Sequence, residues 1–138
     1  MPATYGSLLV TAAWLHDIGD SPALRDTGFH PLDGARFLAE AGQQREAALV
    51  AHRSGARFVA EVRGLVAELA RFPFAEDALT DALTYADRTE GPRGERLAVA
   101  DRLAEAVCRR GADAPSSLAA PRRDPHIDAA VERTEARL

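Results

Sequence analysis

Between Leu8 and Leu15 every residue except Thr11 is apolar, and the run ends in His16-Asp17-Ile18-Gly19. An apolar stretch with no polar face and no period-two alternation predicts a central, buried helix with Trp14 in the core. Such a helix carries His16 and Asp17 inward, His16 on the side of Leu9 and Asp17 on the side of Val10 and Ala13. A carboxylate among apolar neighbours is strongly destabilising unless something pairs with it. A metal ion is one such partner; a metal-free hydrogen bond between His16 and Asp17 is the alternative.

The rest of the chain is punctuated as helices. Gly19 to Pro22 is a breaker cluster, and His30-Pro31 opens a new helix, because proline at the first helical position gives up no hydrogen bond. Gly42 closes that helix. A third, from about Gln44 to Arg53, carries His52 near its end and is interrupted by Ser54-Gly55. From Ala56 to Phe72, Phe58, Val62, Leu65, Val66 and Leu69 recur at intervals of three and four, which predicts one amphipathic helix ending at Pro73.

On the helix from about Glu76 to Thr89, Leu79, Ala82, Leu83 and Ala86 form the buried stripe. Asp87 lies on its edge, whereas Asp77, Asp81 and Arg88 fall on the far side. A Gly/Pro loop leads to a helix from Glu95 to Arg110, where Cys108 is expected to pack. Residues Ala112 to Pro125 read as a Pro/Ser-containing linker and His126 to Leu138 as a final, weakly amphipathic helix, with His126 at the surface. The expected class is all-α: a single domain of about seven helices, residues 1–111 forming its body and 112–138 packing on it.

Composition narrows the function. At 138 residues the chain has the size of one domain able to bury a core without staples. A net charge of -4 argues against sequence-independent nucleic-acid binding, which needs a cationic surface. All 17 basic residues are arginine and asparagine is absent, a pattern of coding bias in a GC-rich bacterial genome. The lone Cys108 makes no internal disulfide, no run is long enough to span a membrane, and the N-terminus lacks the basic start of a signal peptide. A cytoplasmic protein is the expectation.

The residues with chemistry to offer are His16, Asp17, His30, His52 and Asp87. Imidazole and carboxylate ligands converging from several helix ends suit Zn, Fe, Mn or Ni. The order His16-Asp17, then His30-Pro31-Leu32-Asp33-Gly34-Ala35, then His52, then Tyr85-Ala86-Asp87 resembles the HD-domain superfamily of metal-dependent phosphohydrolases, over roughly Leu8 to Gly111. The resemblance implies a helical fold and a divalent metal, Mn, Fe, Co, Ni, Zn or Mg, that activates water against a phosphate ester or anhydride of a nucleotide-like molecule. It also implies that His16, Asp17 and Asp87 are core metal ligands, with Asp17 as the catalytic base, and that His30 and His52 are additional ligands. Arg53, Arg57, Arg93 and Arg96 follow His52 or Asp87 in sequence and are the candidates for gripping substrate phosphates.

The chain also departs from that family. A first histidine normally precedes the His-Asp pair on an upstream helix, but none of the 15 residues before His16 is histidine. Asp20 stands near where the family often has lysine. A site short of one imidazole is expected to hold its metal more weakly. The central helix is then expected to present an apolar groove, covered by a homodimer partner or another helix. Two competing readings follow: a degenerate fold that binds a partner or nucleotide without catalysis, and a di-iron oxygenase.

Overall fold

The computed structural model describes residues 3–75, 77–89 and 110–138, together with Arg96, Ala98, Asp101, Ala104 and Cys108. Its helices are α1 (Ala3–Leu15), α2 (His30–Glu40), α3 (Gln44–His52), α4 (Ala56–Arg63), α5 (Val66–Leu69), α6 (Ala78–Thr89) and α7 (Pro115–Arg137). Short 3-10 turns run over Ile18–Asp20 and Arg53–Gly55, and no β-strand occurs among the described residues. The fold is all-α, as the periodicity demands. The expected helix from Glu95 to Arg110 lies largely outside the described residues.

Two apolar clusters hold the helices together. Phe29, Leu32, Ala35 and Leu38 of the α2 region meet Ala47, Val50 and Ala51 of α3, with Ala56, Ala60 and Leu69 closing the cluster. Leu8 and Ala12 of α1 meet Leu49 of α3 and Leu79 and Leu83 of α6. The α2–α3 pair is therefore the spine, and α1 and α6 lie against one side of it.

Several expectations are corrected. α1 is not buried all round: Leu8 and Ala12 face the core, but Val10 is 57 % and Trp14 84 % exposed. With apolar side chains on every face, its sequence gave no means of choosing which one turned outward. The single helix expected from Ala56 to Phe72 is broken at Gly64, which takes a left-handed φ of 71° and caps α4. Cys108 is exposed rather than packed.

The fourth correction concerns the C-terminus. Instead of a linker and a short helix, α7 runs unbroken for 23 residues, through Pro121 and Pro125. Each internal proline removes one backbone hydrogen bond and crowds the carbonyl four residues back. Burial outweighs that cost: Ala119, Arg123, Ile127, Ala130, Val131 and Thr134 recur at helical spacing along one buried face. This face packs on α4 and α6. It also covers Asp81, which was expected on the solvent side; Asp81 is buried and accepts bonds from Arg133 Nε at 2.8 Å and Arg137 Nη1 at 3.0 Å. Those two arginines hold its carboxyl below the usual range in spite of burial.

Candidate functional site

Two glycines bring the His-Asp pair to the second histidine. After α1 ends, the turn at Ile18–Asp20 lies against the start of α2 so closely that a Cβ on Gly19 would overlap the His30 carbonyl oxygen and stand 2.7 Å from the Gly34 nitrogen. On the facing helix, a Cβ at Gly34 would meet the Gly19 nitrogen and Ile18 Cγ2, each at 3.2 Å. Gly19 leaves no room for a side chain and Gly34 little, so the turn that carries Asp17 and Asp20 arrives beside His30. His30 Nε2 is 3.3 Å from Asp17 Oδ1, and its Nδ1 is 3.4 Å from Asp20 Oδ1.

The turn also changes where Asp17 points. The helical wheel placed it in the interior, but the helix has ended before it, and its side chain is 58 % exposed on a cavity rim. His16 stays half-buried. Its Nδ1 donates to the Ala13 carbonyl at 2.6 Å, while Nε2 faces Asp17 Oδ2 at 3.1 Å and Asp87 Oδ1 at 3.5 Å. Hydrogen bonds to Asp17 and Asp87 raise His16 to about 10, outweighing burial and the Arg53 charge, so without a competing cation it is an imidazolium. Burial pushes the Asp17 carboxyl up, but the bond from His16, the adjoining His30 ring and the charge of Arg53 win and hold it far below the usual carboxylate range. Asp87, on the inward edge of α6 as its sequence position implied, is likewise held well below that range by Arg53, His16, Arg88 and Ser54 against strong desolvation.

Arg53 binds the set together. Its Nη2 donates to Asp17 Oδ1 at 2.8 Å and to His30 Nε2, and its Nη1 donates to Asp87 Oδ2 at 2.9 Å. Ser54 Oγ adds a bond to the same Asp87 oxygen at 2.6 Å. The sequence reading had Arg53 as a substrate contact, and nothing in it pointed to Ser54 except the interruption of α3. Asp17, Asp20 and His30 each offer one atom, all within 4.8 Å of one another, which is the spacing of a metal-ligand group.

His52 is not brought to this cluster. Its Nε2 donates to the Phe72 carbonyl at 2.7 Å and its ring packs edge-on against Phe74. Burial, reinforced by the charge of Arg57, lowers its pKa against that backbone bond, so it is a neutral, structural histidine. Arg57 is also elsewhere, with its guanidinium 4.4 Å from the Phe74 ring centre. Arg96 lies against Tyr85, bonding its hydroxyl, and Arg93 is outside the described residues. His126, expected at the surface, is half-buried and stacks edge-on with Phe58.

The arginines that do face the cluster come from other places. A cavity of about 460 Å³ opens over Asp17, Asp20, His30 and Asp87, and its other walls bear Arg63, Arg88, Arg110 and Arg123. Arg63 donates to the Thr27 and Gly28 carbonyls at 3.0 and 3.2 Å, and Arg123 to the Ser116 carbonyl at 2.9 Å, which fixes both side chains. None of the four was singled out in the sequence for this task. Arg63 and Arg123 sit far along the chain from the cluster, and only the packing of α4 and α7 carries them to it.

Arg53 apart, the cluster offers imidazole and carboxylate donors on one wall of a cationic cleft, a chemistry suited to a divalent ion and an anionic ligand. Comparison with protein-family models, with curated proteins and with solved structures gives no match for this chain.

Proposed function

We propose that the chain is a metal-dependent phosphohydrolase of the HD type, acting on a phosphate ester or anhydride of a nucleotide-like small molecule. The observation that carries this reading is the meeting of Asp17, Asp20, His30 and Asp87, backed by His16, at a cavity whose lining also bears Arg63, Arg88, Arg110 and Arg123. The donor set fits a divalent ion. With Nδ1–H bonded to the Ala13 carbonyl, the His16 ring aims Nε2 at the two carboxylates, and a bound cation that displaced the Nε2 proton would meet its lone pair there, the orientation a ligand histidine needs.

A divalent ion held by Asp17, Asp20 and His30, with His16 and Asp87 adjoining, would supply Lewis acidity and a bound water with a pKa of about 7. The remaining work belongs to the chain. Asp17, open on the cavity rim, orients the attacking water by accepting a hydrogen bond on a carboxylate oxygen. Arg63, Arg110 and Arg123 neutralise the phosphate oxygens, and a 460 Å³ cavity falls within the range of small-ligand sites.

The test is hydrolysis of a generic phosphate ester and of nucleotides with added Mn, Co or Fe. Turnover is expected to need the ion, to disappear with chelator and to be lost in Asp17→Ala while the melt remains cooperative. No turnover of either substrate class with any of the three ions would sink the reading. A second reading, a binding protein without catalysis, is favoured by one observation, the guanidinium of Arg53 bonded to Asp17, His30 and Asp87 at once. Elemental analysis after purification without chelator separates the two, because the binding protein holds no ion and takes up none.

A further inference from the structure

The side chain of Arg53 is 7 % exposed and makes three bonds within the candidate ligand set: to Asp17, His30 and Asp87. Its Nε is buried without a hydrogen-bond partner, so the guanidinium is held from its far end only. The backbone that aims it is strained. Ser54 has a left-handed φ of 53°, a conformation unfavourable for any residue with a Cβ, and Gly55 follows with a φ of 65°. Ser54 is fixed there by its N–H bond to Thr84 Oγ1 at 3.0 Å and its hydroxyl bond to Asp87 at 2.6 Å. A turn latched to Asp87 thus delivers a cation to the Asp17 oxygen and the His30 nitrogen of the group that would hold a divalent ion.

We propose that Arg53 is a built-in cation that closes the Asp17–Asp20–His30 group against divalent ions by occupying Asp17 and His30, with Asp87 as its anchor, and that an ion binds there only when the guanidinium swings out into the cavity it lines. This rests on the metal-dependent reading above. Two cations cannot share the same ligand atoms without strong repulsion, so arginine-in and ion-bound are alternative states of one centre. Apparent ion affinity is then reduced by the fraction of molecules in the open state. If that fraction is about 1–10 %, removing the guanidinium tightens binding about 10- to 100-fold. An arginine that merely supported the ligands would have the opposite effect when removed, because the ligands would lose their alignment.

The experiment is a titration of the full chain with Mn²⁺, reading free ion by its paramagnetic resonance, for wild type, Arg53→Gln and Ser54→Gly. Arg53→Gln is expected to bind Mn²⁺ about 10- to 100-fold more tightly than wild type. Its ion-free form is expected to melt lower, since Asp17 and Asp87 lose their counter-charge. Ser54→Gly keeps the arginine but unlatches it, and glycine adopts the required φ freely, so this variant folds and is expected to bind with intermediate affinity. Should Arg53→Gln fail to fold, Ser54→Gly decides alone. Measurable wild-type binding with equal or weaker binding in the folded variants overturns the inference and leaves the metal reading standing. Absence of Mn²⁺ binding in wild type and both variants overturns both.

Discussion

Asp33 shows how a single side chain sets the shape of the site without touching a ligand. Lying in the first turn of α2, it is buried, and its carboxylate accepts the N–H groups of Asp26, Thr27 and Gly28 at 3.0 to 3.2 Å and the Thr27 hydroxyl at 2.8 Å. These bonds fold the 26–28 loop back over the cavity edge just before His30. Burial pushes the carboxyl up, but the converging N–H donors outweigh it and lower its pKa. A depressed carboxylate stabilises the fold fully above the unfolded value of about 3.9, and that contribution is lost as pH falls through the lower folded value. Asp33→Asn replaces one acceptor oxygen by an NH₂ group facing N–H donors, and is expected to cost about 1.5–3 kcal/mol at neutral pH. Denaturant melts across pH check this: the wild-type advantage should be constant from neutrality to about pH 5 and shrink below about 3.9.

Among the elements, the turn at Ile18–Asp20 and the N-terminus of α2 were the most legible in sequence. The glycine stop after His16-Asp17 and the His30-Pro31 start were both visible there. What sequence did not reveal was that Gly19 and Gly34 form the contact between them, because a glycine that ends a helix and one that admits another backbone look alike. Gly19→Ala forces Cβ into the His30 carbonyl and the Gly34 nitrogen, both rigid backbone. It is expected to cost about 1–3 kcal/mol and to separate Asp17 and Asp20 from His30, weakening any ion binding more than it lowers the melt. Gly6→Ala in α1, where a Cβ would meet nothing within 4 Å, is the control and should leave both unchanged or slightly improved. Calorimetric melting with and without Mn²⁺ separates the two effects; an unaltered ion-dependent shift in Gly19→Ala would refute the positioning role. The same limit explains Asp17 and His52. Wheel angles hold only inside a helix, and Asp17 lies just past the end of one; His52, a ligand only by the family resemblance, is the last residue of another and turns to the Phe72 carbonyl instead.

For the molecule as a whole, α7 is the part that local reading most misjudged and the part that completes the cavity. Two prolines four residues apart argue for a linker, and only the face running from Ala119 to Thr134, buried against α4 and α6, overrides them. Once in place, that helix brings Arg123, Pro115 and Ser116 to the cavity wall opposite the His-Asp cluster, so the all-α core and the anionic-ligand site depend on the same packing. No described helix is long and apolar enough to cross a membrane, and the buried faces of α7 are satisfied within the chain. Ile127, fully buried in the middle of this face, tests the dependence. Ile127→Ala removes its packing without touching the cavity, and is expected to cost about 2–5 kcal/mol in denaturant melts. In a molecule of this size the loss should reach the site: α7 loosens first, Arg123 loses its fixed place beside Ser116, and binding of inorganic phosphate weakens under conditions where circular dichroism still shows a folded chain. If phosphate binding instead held at its wild-type value while stability fell by that amount, the arginine wall would have to be built without α7, and the cavity would owe its charge to Arg53, Arg63, Arg88 and Arg110.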